Sequence, residues 1–434
     1  MVTLRLTDAR QPVTDALQPA VGASPPPPPP PPPRPTRLRI VDAANGTFTV
    51  LVDNVEWLGA GLSPSVHHRG RRFSVEDGTL RLESDGWQTN SDKIGRYNRR
   101  YWRWSDTGSG DVRLETSVRV YATGVLVCEQ RFLTPLVRMG SRRGELASTF
   151  PSFTLPPGSS AGPPRGFLQY DGDMAGQLYR VGRWQQGVRG VGSGVAGTAP
   201  LVVFAEDLRS SVVLSPFASF MSAAQQYDGQ HLSYGLLNTI DSVPEGHATA
   251  TVLVLGSGVR AALMGWGDVV LRWYGKSREG AWRRDPTLRT LGYCTQNGAY
   301  YYYNPIPGKS FEATMLAVAA DAKARGVPYR YWLADSWWYH KGGKGAPLPG
   351  VINWTATAEA FPHGLGAIRR ATGWDVQAHS RFWSSKAVYA RENGGGFDFL
   401  LDRGGMALPI SMAFWEYLFG EASRWGLVTY EQAR

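Results

Sequence analysis

Cysteine is nearly missing from this chain of 434 residues, which carries only Cys128 and Cys294. Two thiols so far apart in sequence build no disulfide framework. No His, Cys, Asp or Glu cluster has metal-ligand spacing, so neither a metal nor another cofactor is expected. An uninterrupted apolar run of about 18 residues is also lacking, because Arg260 breaks the best candidate, ATATVLVLGSGV, and no membrane partner is expected. The N-terminal MVTLRLTDARQPVTDALQPAVGAS has no apolar core of the kind a secretory signal needs. Acidic residues are the minority, 36 against 46 Lys and Arg, for a net charge of +10. The arginines are nevertheless scattered, and the densest knot, HHRGRR at 67–72, stands alone between strand-like segments. It reads as a solvated loop, so no nucleic-acid partner is expected.

What the chain does have is glycine (51), proline (30) and tryptophan (16) in abundance, a composition of many turns and large packing side chains. Pro25 to Pro33 is unbroken proline, a stiff polyproline II rod that separates a leader, residues 1–36, from the rest. From 37 to 257, short segments such as TFTVLVD, DVRLETSVRVYATG and HATATVLVLG alternate with period two and are cut by turn residues. These predict an antiparallel β-sandwich domain. Residues 258–284 then change period, with Val259, Leu263, Trp266, Val270 and Trp273 on one helical stripe, and predict a connecting helix.

After residue 285 short apolar runs alternate with helical stretches: TLGYCTQNG, SFEATMLAVAADAKARG, YRYWLADSWW, FPHGLGAIRRATG, WDVQAHSRFW, ALPISMAFWEYLFGEASRWG and LVTYEQ. Such alternation predicts a parallel sheet wound in β/α units. The expected fold is therefore multidomain β and α/β: an N-terminal antiparallel β-sandwich followed, over 285–434, by a partial (β/α)8 TIM barrel of about four units. Chemistry on such a barrel gathers at the C-terminal ends of the strands. Those ends carry Asn297, Asp335 with Trp337 and Trp338, His379 with Arg381, and Glu431. Indole faces pack against the C–H faces of sugar rings, while carboxylates accept hydroxyl protons and Arg or His donate in return. The residues read as a substrate-binding set for an oligosaccharide or glycoside. Two alternatives stay open: one of the adjacent tryptophans fills core while the other lines a pocket, and Arg381 forms a structural salt bridge to Asp335.

The succession of a β-rich half, a helix ending WYGKSR, LGYCTQNGAYYYY and DSWWY resembles the retaining glycosidases of the α-galactosidase and raffinose-synthase clan. It resembles more closely a glycosidase-like group in which the second barrel strand ends LDSWWY and the fourth ends YEQDWL. The resemblance spans roughly residues 45–432 and implies a carbohydrate-active protein related to enzymes that hydrolyse α-linked glycosides. In that clan a carboxylate pair after the second strand binds substrate hydroxyls, and Asp335 alone matches it, with Ala334 in place of its neighbour. The clan's nucleophile ends the fourth strand, where this chain reads Tyr430-Glu431-Gln432-Ala433, so the expected nucleophile position is Ala433 and no catalytic residue is assigned. The resemblance thus implies either an inactive or incomplete glycosidase or a non-catalytic remnant that binds glycans or proteins. A half barrel would also leave an open sheet edge, for which self-association is expected.

Overall fold

Alternation along RYNRRYWRWSD, the strand Arg96–Asp106, turns Arg100, Trp102 and Trp104 to one face and Arg99, Tyr101 and Arg103 to the other. The first three are buried. Arg100 is stabilised there by Asp42, 2.6 Å from its Nε, and by Asp85. The indole of Trp104 donates to Thr116 Oγ1 at 3.0 Å. In the computed structural model, which describes residues 37–156, 165–171, 178–193, 199–295, 304–342, 350–402 and 404–432, this strand lies within a nine-stranded antiparallel sheet. An eight-stranded antiparallel sheet faces it. Phe48, Val50, Phe153 and Tyr234 of the eight-stranded sheet and Trp102, Leu126 and Phe132 of the nine-stranded one share a single buried core.

The helix Val259–Trp273 packs on the outer face of the nine-stranded sheet, with Val269 against Val252, Val254 and Phe217. Trp266 anchors it by donating to Ser215 Oγ at 2.8 Å. No described helix is long and apolar enough to cross a membrane. The basic knot forms a hairpin: Arg69 pairs with Asp111 at 2.8 Å and Arg72 with Glu76 at 3.3 Å, so much of its charge is neutralised within the fold.

The expectation of a sandwich followed by a partial TIM barrel is corrected by the C-terminal third. The described residues are predominantly antiparallel β structure and contain no TIM barrel. Four strands, Leu291–Cys294, Tyr329–Ala334, Asp375–Ser380 and Leu427–Gln432, do form a parallel sheet in that order, but the sheet is open. Between them the chain does not simply return through loops and helices. Tyr339–Gly342, Gly350–Ala356, Trp383–Ser384, Phe399–Leu401 and Met406–Pro409 build a separate five-stranded sheet. The physical reason is long-range pairing: Gly350–Ala356 pairs with Tyr339–Gly342 and Trp383–Ser384, and Val351, Trp354, Trp383 and Phe399 of this sheet are buried in one core with the parallel sheet.

Helices Phe311–Ala324, Leu365–Thr372 and Met412–Arg424 cover that core through Met315, Ile368, Phe414 and Leu418. Ser310 caps the first of them, its hydroxyl accepting from Ala313 N–H at 3.1 Å. Gly373, at φ 72°, ends the second in the left-handed conformation and turns the chain into the Asp375–Ser380 strand.

Candidate functional site

In a parallel sheet, residues in register on neighbouring strands point to the same face. Tyr293, Trp332, Ala334, Val376, Ala378 and Tyr430 point into the helix-covered core. The alternate positions form the opposite face, which is polar at the strands' C-terminal ends. Ala334 pairs with Ala378 and His379 with Glu431, and Asp335 follows the last residue of its strand with its field reaching His379, so the three gather in a row at the C-terminal ends of three adjacent strands. Neighbouring strands lie about 4.8 Å apart, which gives the row the scale of a monosaccharide.

Asp335 is 3% exposed. Its backbone N–H donates to Thr295 Oγ1 at 3.4 Å, and Thr295 in turn donates to Leu333 O at 2.6 Å. Its carboxylate accepts from Ser336 N–H. The turn after the strand is therefore closed by the acid itself, which fixes the carboxyl at the sheet's edge. Glu431, half-buried, accepts from Gln377 Nε2 at 2.9 Å.

His379, 6% exposed, lies between the two acids. Burial holds its pKa below the ordinary value near 6.5; the fields of Asp335 and Glu431 oppose that shift, while Arg381 and Lys341 reinforce it. Its Nδ1 is 3.1 Å from the Tyr339 hydroxyl, and the two rings are stacked, 6.2 Å apart and 6° from parallel. Trp354 Nε1 donates to the His379 carbonyl at 3.0 Å and pins the backbone beneath the ring.

Arg381 falls just beyond the strand rather than on it. Its backbone N–H donates to the Tyr339 hydroxyl at 3.1 Å. No ion pair joins it to Asp335 among the described residues, so the structural salt bridge does not form. The field of its guanidinium does reach His379.

Trp337 and Trp338 sit elsewhere. Trp337 stacks on Phe311 at 4.6 Å with 15° between the planes, and Trp338 meets Trp354 and Trp425 edge-on at 5.2 and 5.8 Å. Both are buried, so the pair fills core and neither ring offers an open platform. Asn297, the tyrosine run 300–303 and Ala433 lie outside the described residues. Sequence reading overlooked Tyr339, Gln377 and Thr295. Gln377 was findable, since it lies two residues before His379 and so on the same face. Tyr339 follows the strand in a separate sheet and carried no comparable signal.

A cavity of about 400 Å³ opens at the opposite end of the parallel sheet, between Leu316, Lys323, Tyr329, Arg330 and Trp374. It is remote from the polar row in sequence register and contributes nothing to it. Cys128 is a buried thiol whose pKa burial pushes far up, which makes it inert packing.

No protein-family model matches the chain, and no curated protein sequence does. Solved structures do match. The α-N-acetylgalactosaminidase NagBb of Bifidobacterium bifidum, in a quadruple-mutant form, superposes on 92% of this chain and 69% of its own with a TM-score of 0.53 at 12% identity. Its ligand-free form covers 92% and 69% (TM-score 0.52, 14% identity), and its complex with GalNAc covers 91% and 68% (0.51, 14%). The chain thus shares the fold of this glycosidase, and at such identity the likeness concerns the fold alone.

Proposed function

We propose that this protein binds a neutral saccharide, of the galactose or N-acetylgalactosamine type, through the row Asp335, His379 and Glu431. The observation that carries this reading is the gathering of two carboxylates about a histidine at the C-terminal ends of the parallel strands, Glu431 in register with His379 and Asp335 just past the end of its strand. Carboxylates accept from sugar hydroxyls in strong, charge-assisted hydrogen bonds, and the imidazole supplies a third polar contact between them. Arg381, with its guanidinium close to the row, adds a donor at the rim. The likeness of fold to an α-N-acetylgalactosaminidase supports the choice of sugar.

Recognition without turnover is the reading we favour. Both acids are engaged as hydrogen-bond acceptors, Asp335 by its own turn and Glu431 by Gln377. A retaining hydrolase instead needs an acid pair about 5 Å apart with one member protonated. The test is titration calorimetry with N-acetylgalactosamine, galactose and glucose, paired with an assay on an aryl α-N-acetylgalactosaminide. Binding that Asp335→Asn weakens by roughly tenfold or more, without aryl release, is the expected result. Aryl release that Asp335→Asn abolishes would replace this reading with a hydrolase, and no binding of any of the three sugars would end it.

A further inference from the structure

The cavity of about 400 Å³ at the far end of the parallel sheet has a lining with a definite chemical bias. Part of it is apolar and aromatic, from Leu316, Val327, Tyr329 and the buried Trp374. Tyr329 and Trp374 meet edge-on, with centroids 5.5 Å apart and planes at 79°, so each ring holds the other in place. The other part is basic, from the exposed Lys323 and Arg330, and neither Asp nor Glu lines the cavity. These two cations are uncompensated: among the described residues neither forms an ion pair or a side-chain hydrogen bond. The acids that flank the lining in sequence are engaged elsewhere, Asp321 with Arg325 at 2.9 Å and Asp375 with Arg369 at 2.9 Å. Lys323 stands in the last turn of the helix Phe311–Ala324, where a cation also answers the helix dipole. Arg330 stands on the strand Tyr329–Ala334, which that explanation does not reach. The indole N–H of Trp374 is likewise without a partner among the described residues, although the residue is only 6% exposed.

We propose that this cavity is a second ligand site, which takes a small organic carboxylate with an aromatic or aliphatic body. The apolar body removes Leu316, Val327 and Trp374 from water, and the carboxylate is held between Lys323 and Arg330 by charge-assisted hydrogen bonds. The volume lies within the range of small-molecule sites, roughly 300–1,000 Å³. Like charge repels a cationic ligand, and no carboxylate in the lining is there to accept the hydroxyl protons of a sugar. The cavity and the polar row therefore differ in ligand class, and this inference stands independently of the saccharide reading.

Titration calorimetry of the full-length protein with 1-naphthoate at low salt tests the site. Lys323→Gln and Arg330→Gln alter exposed side chains and keep the fold; each should weaken binding by roughly threefold or more. Affinity should also fall as sodium chloride is raised. Arg325→Gln removes a charge from the same helix end but not from the cavity lining, and should change affinity by less than about twofold. The neutral analogue naphthalene-1-methanol should bind more weakly than the carboxylate and be indifferent to both substitutions. Absence of naphthoate binding overturns the proposal, as does binding that neither Lys323→Gln nor Arg330→Gln weakens. Equal weakening by Arg325→Gln overturns it in favour of diffuse surface charge. Equal affinity for the alcohol overturns it in favour of an apolar cavity without anion recognition.

Discussion

Gln377 donates from its side-chain nitrogen to Glu431 Oε2 at 2.9 Å, one strand across and two residues back along the sheet face. The bond aims one carboxylate of the row and leaves Glu431 Oε1 for another partner. Gln377→Leu keeps approximate volume and removes the donor. Because both residues are only half-buried, the loss to stability should stay near 1 kcal/mol. Affinity for N-acetylgalactosamine should fall by roughly fivefold, since the acid is no longer held in place. Calorimetry on this variant checks the assignment: unchanged affinity would remove Glu431 from the site.

Trp338→Ala should act on the fold. The indole is 1% exposed and packs edge-on against Trp354, Trp425 and Tyr339. Deleting it opens a cavity among rigid rings that cannot collapse, at a cost of about 3–5 kcal/mol. Urea unfolding measures this directly. A loss below 1 kcal/mol accompanied by abolished sugar binding would return Trp338 to the role of ligand platform.

These two cases show what the sequence could carry. Period-two alternation locates strands such as Arg96–Asp106 because one face is buried and the other is wet, and the two faces differ in residue type. The polar residues at the parallel strand ends, Asp335, His379 and Glu431, could be found because each follows an apolar run. The closure of a barrel could not be judged, since both a barrel and an open sheet use the same β/α alternation locally. What distinguishes them is where stretches such as GVINWTA pair, and pairing between Gly350–Ala356 and Tyr339–Gly342 or Trp383–Ser384 is a long-range fact. The aromatic cluster misled for a related reason: a row of exposed indoles and a row of core indoles have the same composition, and only packing against Phe311 and Trp425 tells them apart.

Acid should destabilise the protein before its carboxylates titrate. His67, His68, His247 and His379 all have pKa values lowered from about 6.5, in each case first by burial. At His379 the opposing fields of Asp335 and Glu431 do not overcome that burial, and Arg381 and Lys341 add to it. In the unfolded chain these groups take up protons near their ordinary value, while the folded protein resists until lower pH. The unfolded state therefore binds more protons as pH falls through about 6.5, and stability is lost in that direction. Each such histidine contributes at most about 1.4 kcal/mol per pH unit within its window. Asp106, Glu115 and Asp228, whose pKa values are lowered, act in the same sense only below the ordinary carboxylate range. Thermal melts between pH 7 and pH 5 should thus show a falling midpoint, and His379→Gln should reduce the slope by removing one of the four linked sites. A flat midpoint over that interval would mean that the histidines titrate alike in both states, and a variant slope equal to the parent's would mean that His379 is not held neutral by the fold.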